Sequence, residues 1–391
     1  MSQLIDNLNI IESVKTDIKS AIEAKGVDMT GVSFSGYASK IGEISGGGGV
    51  NPSGTLEISE NGIYNVYSYA AASVEVLQGG WDQKSFTEGN IKFTNLDNTA
   101  SFVASSAFKN NNTVQTVNLP YATSVGNEAF YWCQELSQVS LPVCEYIGNN
   151  AFANCHSLTQ MSLPMCSYIS NYAFNSCRSL SQVDFPVCSY IGDSAFYRCT
   201  LLLQVSIPVC EYIGLATFAS CRSLTQMSLP MCSYISNYAF QFCRSLSQIS
   251  LPVCSYIGNG AFQSCFSLSQ VNLPVCSYIG SSAFHNCRTL SQISLPVCTY
   301  IGESAFNGCS SITQISLPVC SYINDGAFYN CSSLSIITIG YSGVCSLPYS
   351  PFDNTPIAAG TGSIYVPASL VDTYKSAETW SVFSSQIFPI E

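Results

Sequence analysis

The chain has 391 residues, 47% of them hydrophobic and 9% charged, with 13 Lys+Arg against 24 Asp+Glu for a net charge of −11. Charge far below the usual quarter or so of residues, together with that apolar content, excludes a disordered chain. The acidic balance without a basic run argues against a nucleic-acid partner or an anionic membrane surface, and no run approaches the ~18 apolar residues of a membrane span.

The N-terminus, Met1-Ser2-Gln3-Leu4-Ile5-Asp6, lacks the basic region and apolar core of a secretory signal, so none is expected. Over residues 3–25, Leu4, Leu8, Ile11, Ile18 and Ile22 follow a 4-3 spacing, with Lys15 at the missing seam position. That pattern predicts a helix that forms a short coiled coil, a homotrimer being preferred, or that packs on a partner protein. A second short helix is expected from Tyr37 to Ile44, and Gly46 to Gly49 reads as a flexible linker. Thr55 to Ile58 and Ile63 to Val66, joined through Asn61-Gly62, read as a hairpin, with Ala72 to Val76 as a third strand.

Lys25-Gly26-Val27-Asp28-Met29, Tyr37-Ala38-Ser39-Lys40-Ile41 and Asn61-Gly62-Ile63-Tyr64-Asn65-Val66 resemble the N-terminal attachment modules of phage and prophage virion proteins. The resemblance implies docking to other virion proteins and assembly into a particle in the bacterial cytoplasm. Residues 1–45 are thus taken as an attachment and oligomerisation segment, and 46–80 as linker and β-hairpin module. Trp81, Phe86, Ile91, Phe93 and Phe102 are expected to cap the coils that follow.

From Phe108 to Phe328 a phenylalanine recurs every 22 residues without insertion, the mark of a solenoid. The segment Ser157 to Phe174 recurs unchanged at Ser223 to Phe240. Each unit contains the frame Leu136-x-x-Val139-x-Leu141-x-x-Cys144-x-Tyr146, which matches the leucine-rich-repeat pattern. Val139 and Leu141 alternate with Gln138 and Ser140 as in a half-buried strand, and Pro142 ends it. The predicted fold is a β-rich leucine-rich-repeat solenoid of about eleven 22-residue coils over 81–331, with a C-terminal cap over 332–391. At roughly 4.8 Å per coil it spans on the order of 50 Å. In the first coil Asn111 and Ala122 replace the two cysteines found in later coils, as suits a terminal repeat.

The cysteines alternate every 11 residues from Cys133 to Cys331, forming two columns of period 22. A disulfide framework has irregular spacing and little core, and no CxxC pair suggests zinc. The thiols are therefore expected free and buried, in a reducing compartment at least during folding. No cofactor or metal site is expected.

Ala-Phe-x-x-Cys-x-x-Leu-x-x-Ile-x-Leu-Pro with Tyr-Ile-Gly resembles the BspA-like subclass of leucine-rich repeats. The tail with Gly362-Ser363-Ile364-Tyr365-Val366-Pro367, Tyr374-Lys375 and Trp380 is similar to the C-terminal cap of such proteins. That resemblance implies bacterial surface adhesion and binding of extracellular ligands.

In so regular a repeat the informative positions are those that vary, one, two and four residues after each Phe. Stacking puts them on one stripe, which includes Tyr131, Trp132, Gln134, His156, Arg178, Tyr197, Arg198, Arg222, Gln241, Phe242, Arg244, Phe266, His285, Arg288 and Tyr329. Aromatics and Arg are enriched at binding hot spots, so the stripe is either a recognition surface or a tolerant solvated edge. The rows Gln138 to Gln314 and Ser140 to Ser316 on the strands read as a hydrogen-bonded amide ladder or, alternatively, a carbohydrate platform. His156 and His285 occupy different repeat positions, carboxylates are scattered singly and no phosphate loop occurs, so no enzyme is expected. The function predicted is a virion fibre whose solenoid binds a bacterial surface glycan or protein. A BspA-like adhesin on the bacterial surface is the alternative, and a spacer without a ligand the second.

Overall fold

The structure, a computed structural model, describes residues 102–391 apart from 104, 113, 349 and 350. The predicted N-terminal helix with its Leu4, Leu8, Ile11, Ile18 and Ile22 seam, the linker, the hairpin and nearly all of the capping segment lie outside these residues.

Each coil contributes two short strands, such as Gln138–Ser140 and Tyr146–Ile147. They pair in parallel with the same residues one repeat away, Gln160 with Gln182 and Tyr168 with Tyr190. The Tyr-Ile strands make one 11-stranded sheet from Phe102–Val103 to Tyr322–Ile323. The Gln-bearing strands, with Thr116–Asn118 before them and Ile336–Ile339, Ser363–Val366 and Ile387–Pro389 after them, make another side, in parallel groups of two, three, four and four. Strand residues alternate as the sequence predicts: in Gln160–Ser162 the outer two are exposed and Met161 is buried.

The third side is a bend around each Phe, and its chemistry was not visible in the residue types. Residues two before and two after the Phe are left-handed in coil after coil, for example Tyr172 (φ 59°) and Ser176 (φ 58°) around Phe174. Trp132, Arg198 and Phe242 adopt the same conformation at φ 60–61°, costing roughly 1–2 kcal/mol each against a right-handed backbone. Hydrogen bonds hold it. Tyr172, Phe174 and Ser176 donate N–H to Asp193, Ala195 and Tyr197 of the next coil at 2.7–2.8 Å, while Asn175 and Cys177 donate back three residues at 3.0–3.1 Å. Alternate amides thus serve the stack and the turn, and none of these five is orphaned. The glycine after Tyr-Ile has a different reason: a Cβ on Gly148 would lie 2.7 Å from the Asn127 amide of the previous coil.

Side chains add further rungs. Asn171 Oδ1 accepts the Asp193 N–H at 2.8 Å, and Asp193 Oδ1 accepts that of Leu215 at 2.7 Å. Ser181 and Ser247 hydroxyls donate to the Thr159 and Thr225 carbonyls one coil back at 3.0 and 2.9 Å. Inside, the rings from Phe108 to Phe352 form a continuous stack with centroids 5.0–5.8 Å apart. All twenty cysteines are free and buried. One column ties coils together, Cys155 Sγ donating to the Phe130 carbonyl at 3.1 Å; the other closes its own loop, Cys144 Sγ to the Tyr146 carbonyl at 3.3 Å. Burial pushes the Cys133 and Cys177 thiols up to about 12.

Beyond Cys331 the stack continues. Ile336–Ile339, Ser363–Val366 and Ile387–Pro389 extend the ladder in parallel, giving about 13 turns in all, so the tail is itself coiled as well as capping. Trp380 and Phe383 cover Phe352, the last ring of the stack, at 6.3 and 5.7 Å. Trp380 Nε1 donates to the Cys345 carbonyl at 2.7 Å; the Tyr374 hydroxyl accepts the Cys345 N–H at 2.9 Å and donates to Gly343 O at 3.2 Å.

Candidate functional site

The variable stripe follows the bend. Trp132 and Phe242 sit at its left-handed corner, about a third exposed, and Arg178, Arg198, Arg222, Arg244 and Arg288 are exposed. Parts of the stripe are brought together. The Trp132 ring lies 6.4 Å from Tyr131 and 5.8 Å from His156. Arg198 lies over Tyr197 at 5.1 Å, and Phe266 is flanked by Arg244 at 5.6 Å and Arg288 at 5.2 Å. Gln241 Nε2 donates to Gln263 Oε1 at 2.6 Å. The Trp132–His156 group and the Arg244–Phe266–Arg288 group are four coils apart; Gln134 lies one rung from His156 at the same repeat position, and Tyr329 stands away from both groups.

His156 is held below its ordinary pKa by burial and then by Arg178, and His285 by burial. Both rings are therefore neutral near pH 7. They lie six coils apart, and the thiols of the coils donate into backbone carbonyls. Among the described residues no group of His, Cys, Asp and Glu could hold a metal ion, and no helix is long and apolar enough to cross a membrane.

The Gln face differs from the amide ladder expected of it. Gln138 to Gln314 are exposed, and among the described residues no hydrogen bond joins one of these amides to the next. The backbone ladder already fixes the strands, so solvated amides gain little by pairing. Between Leu203 and Thr338 this face forms an open groove of about 1190 Å³, lined by the exposed Gln226, Gln248, Gln270 and Gln292 and by Ser228, Ser250, Asn272 and Ser294. Its ridges are mostly polar, and its apolar floor, such as Met227 and Ile249, is largely buried.

One row escaped sequence reasoning. The residue after each strand-ending proline is apolar and exposed, from Val143 through Met165 and Met231 to Val319, at 36–53% exposure. The signal was the recurrent Leu/Phe/Ile-Pro-Val/Met-Cys from coil two onward, whose third residue lies outside both the core frame and the variable positions.

Fold and frame define a leucine-rich-repeat solenoid. The sequence matches the BspA type leucine rich repeat region, 6 copies, over residues 81–202, 167–276 and 255–375. The chain belongs to that family. No curated protein matches it. Among solved structures it is similar to a leucine-rich repeat protein from Bacteroides ovatus, 21% identical over 75% of this chain and 88% of that one, TM-score 0.42. It is also similar to a leucine rich cell surface protein from Faecalibacterium prausnitzii, 18% identical over 69% and 90%, TM-score 0.30. A third is the pneumococcal vaccine antigen PcpA, 16% identical over 74% and 83%, TM-score 0.37.

Proposed function

We propose that the chain is a non-catalytic recognition protein of the surface-adhesin type, holding an extracellular glycan on the Gln face. The observation that carries this is the row of solvent-facing amides with no partner among one another, repeated coil after coil over the groove. An amide offers both donors and acceptors, the complement of a sugar hydroxyl. Repeated at one rung spacing, weak contacts add along an extended chain by raising the effective concentration of each next contact. Family membership supports the same reading, because the BspA-like resemblance implies surface adhesion.

A glycan array probed with the full chain tests it. Retention of one or a few neutral glycans is expected, lost in Gln226→Ala/Gln248→Ala/Gln270→Ala. An array with no retained glycan, or a triple variant that binds unchanged, would reject the Gln face as the site. The virion-fibre reading draws on the motifs of residues 25–66 alone and ranks second. Peptide mass spectrometry on lysate particles and on the cell envelope separates the two. On the virion reading the 4-3 seam from Leu4 to Ile22 makes a trimer, which sedimentation of the full chain checks.

A further inference from the structure

Six consecutive coils, those of Phe174 to Phe284, carry five arginines and no lysine, against Asp184, Asp193 and Glu211, in a chain of net charge −11. Arg178, Arg222, Arg244 and Arg288 share one repeat position; Arg198 lies two residues from it in the coil between the first two, and Phe266 takes it in the coil between the last two. All five arginines are exposed, and among the described residues none forms an ion pair. The three acids lie on other rows, and the Asp193 carboxylate is engaged with the Leu215 amide at 2.7 Å. Successive coils are 5.2–5.4 Å apart by their Phe rings, so the run is a strip on the order of 25 Å long.

We infer that this arginine run is a binding strip for an extended acidic polysaccharide, a ligand with carboxylates or sulfates on separated sugars. A guanidinium recognises such groups through paired N–H donors. Arg244 and Arg288 rest over Phe266, which leaves them less rotamer freedom to lose on binding. The alternative polyanion, a single-stranded nucleic acid, needs open aromatic platforms on which bases stack. Phe266 is already flanked by two cations, and the net charge of −11 repels a densely charged strand more than a sparsely charged one. The strip lies on the bend edge, apart from the Gln face, and stands if the Gln-face reading fails.

The test is binding of the immobilised full chain to heparin oligosaccharides and to polygalacturonate, with dextran and poly(dT) as controls. The acidic polysaccharides bind, and wild-type affinity falls as salt rises, a readout that needs no variant. Arg222→Gln/Arg244→Gln/Arg288→Gln, with an unchanged thermal melt, weakens binding by roughly tenfold or more. Absence of binding, salt-independent binding, or an unchanged affinity in the arginine variant would overturn the strip. Tighter binding of poly(dT) would overturn the polysaccharide assignment.

Discussion

The aromatic stack makes a quantitative prediction about coupling. Phe240 and Phe262 are fully buried, parallel, and 5.3 Å apart. Truncating either to Ala removes a buried ring and leaves a cavity, costing about 3–5 kcal/mol. Each single variant breaks two ring contacts, but the double variant breaks three, because the shared contact is lost once. The double should therefore cost less than the sum by one ring contact, about 0.5–1.5 kcal/mol. Phe174 and Phe284 share no neighbour and lie five coils apart, so their pair should add within about 0.3–0.5 kcal/mol. Urea denaturation followed by circular dichroism measures both cycles, with amide exchange of the adjoining strands reporting each coil separately, since long arrays can unfold piecewise. Equal coupling in the near and distant pairs, or none in the near pair, would refute the nearest-neighbour picture of the stack.

The thiols, buried and many of them pushed up to about 12 (Cys133 and Cys177 among them), should resist a thiol reagent at pH 8 in the native chain, and all twenty should react after unfolding; rapid native labelling of Cys155 or Cys177 would contradict their burial. Trp380→Ala uncovers Phe352 and should cost about 3–5 kcal/mol, with exchange accelerated over residues 336–391 and little changed near Phe152; uniform loss along the solenoid would contradict its role as an end cap. His156 and His285 have folded pKa values below the ordinary 6.5, so the unfolded chain takes up protons first. Their contribution is therefore present above about pH 6.5 and lost as pH falls through the folded values. His156→Gln/His285→Gln should flatten that acid-side decline of the melting temperature. Gly326→Ala, where a Cβ meets Ser304 Oγ at 3.3 Å and the Tyr329 Cβ at an ordinary 3.8 Å, should cost about 1–2 kcal/mol for its left-handed φ of 57°. Gly260→Ala at φ 59° should cost more in the same melt, because its Cβ meets the Tyr238 ring at 2.6 Å.

The periodicity of 22 made the strands, the core and the thiol columns legible, because stacking turns each repeat position into a row whatever the neighbouring sequence. The bend was not legible. Its left-handed positions hold Asn and Gly in some coils but Tyr, Trp, Arg, Ser and Ala in others, and inter-coil hydrogen bonds, which no single coil displays, hold that backbone in all of them. The Gln row was legible as a row but not as open amides, since identical stacked side chains look the same in sequence whether they bond to one another or to solvent. The two coils after Ile339 lack the 22-residue spacing, so Ser363–Val366 and Ile387–Pro389 read only as a cap.

The most direct test of the account is hydrogen–deuterium exchange of the full chain with and without the neutral glycan that the array retains most strongly. Protection should concentrate on the Gln-bearing strands between residues 204 and 316, which line the groove. Protection confined to the Tyr-Ile strands, or to residues 1–100, would contradict recognition by the Gln face.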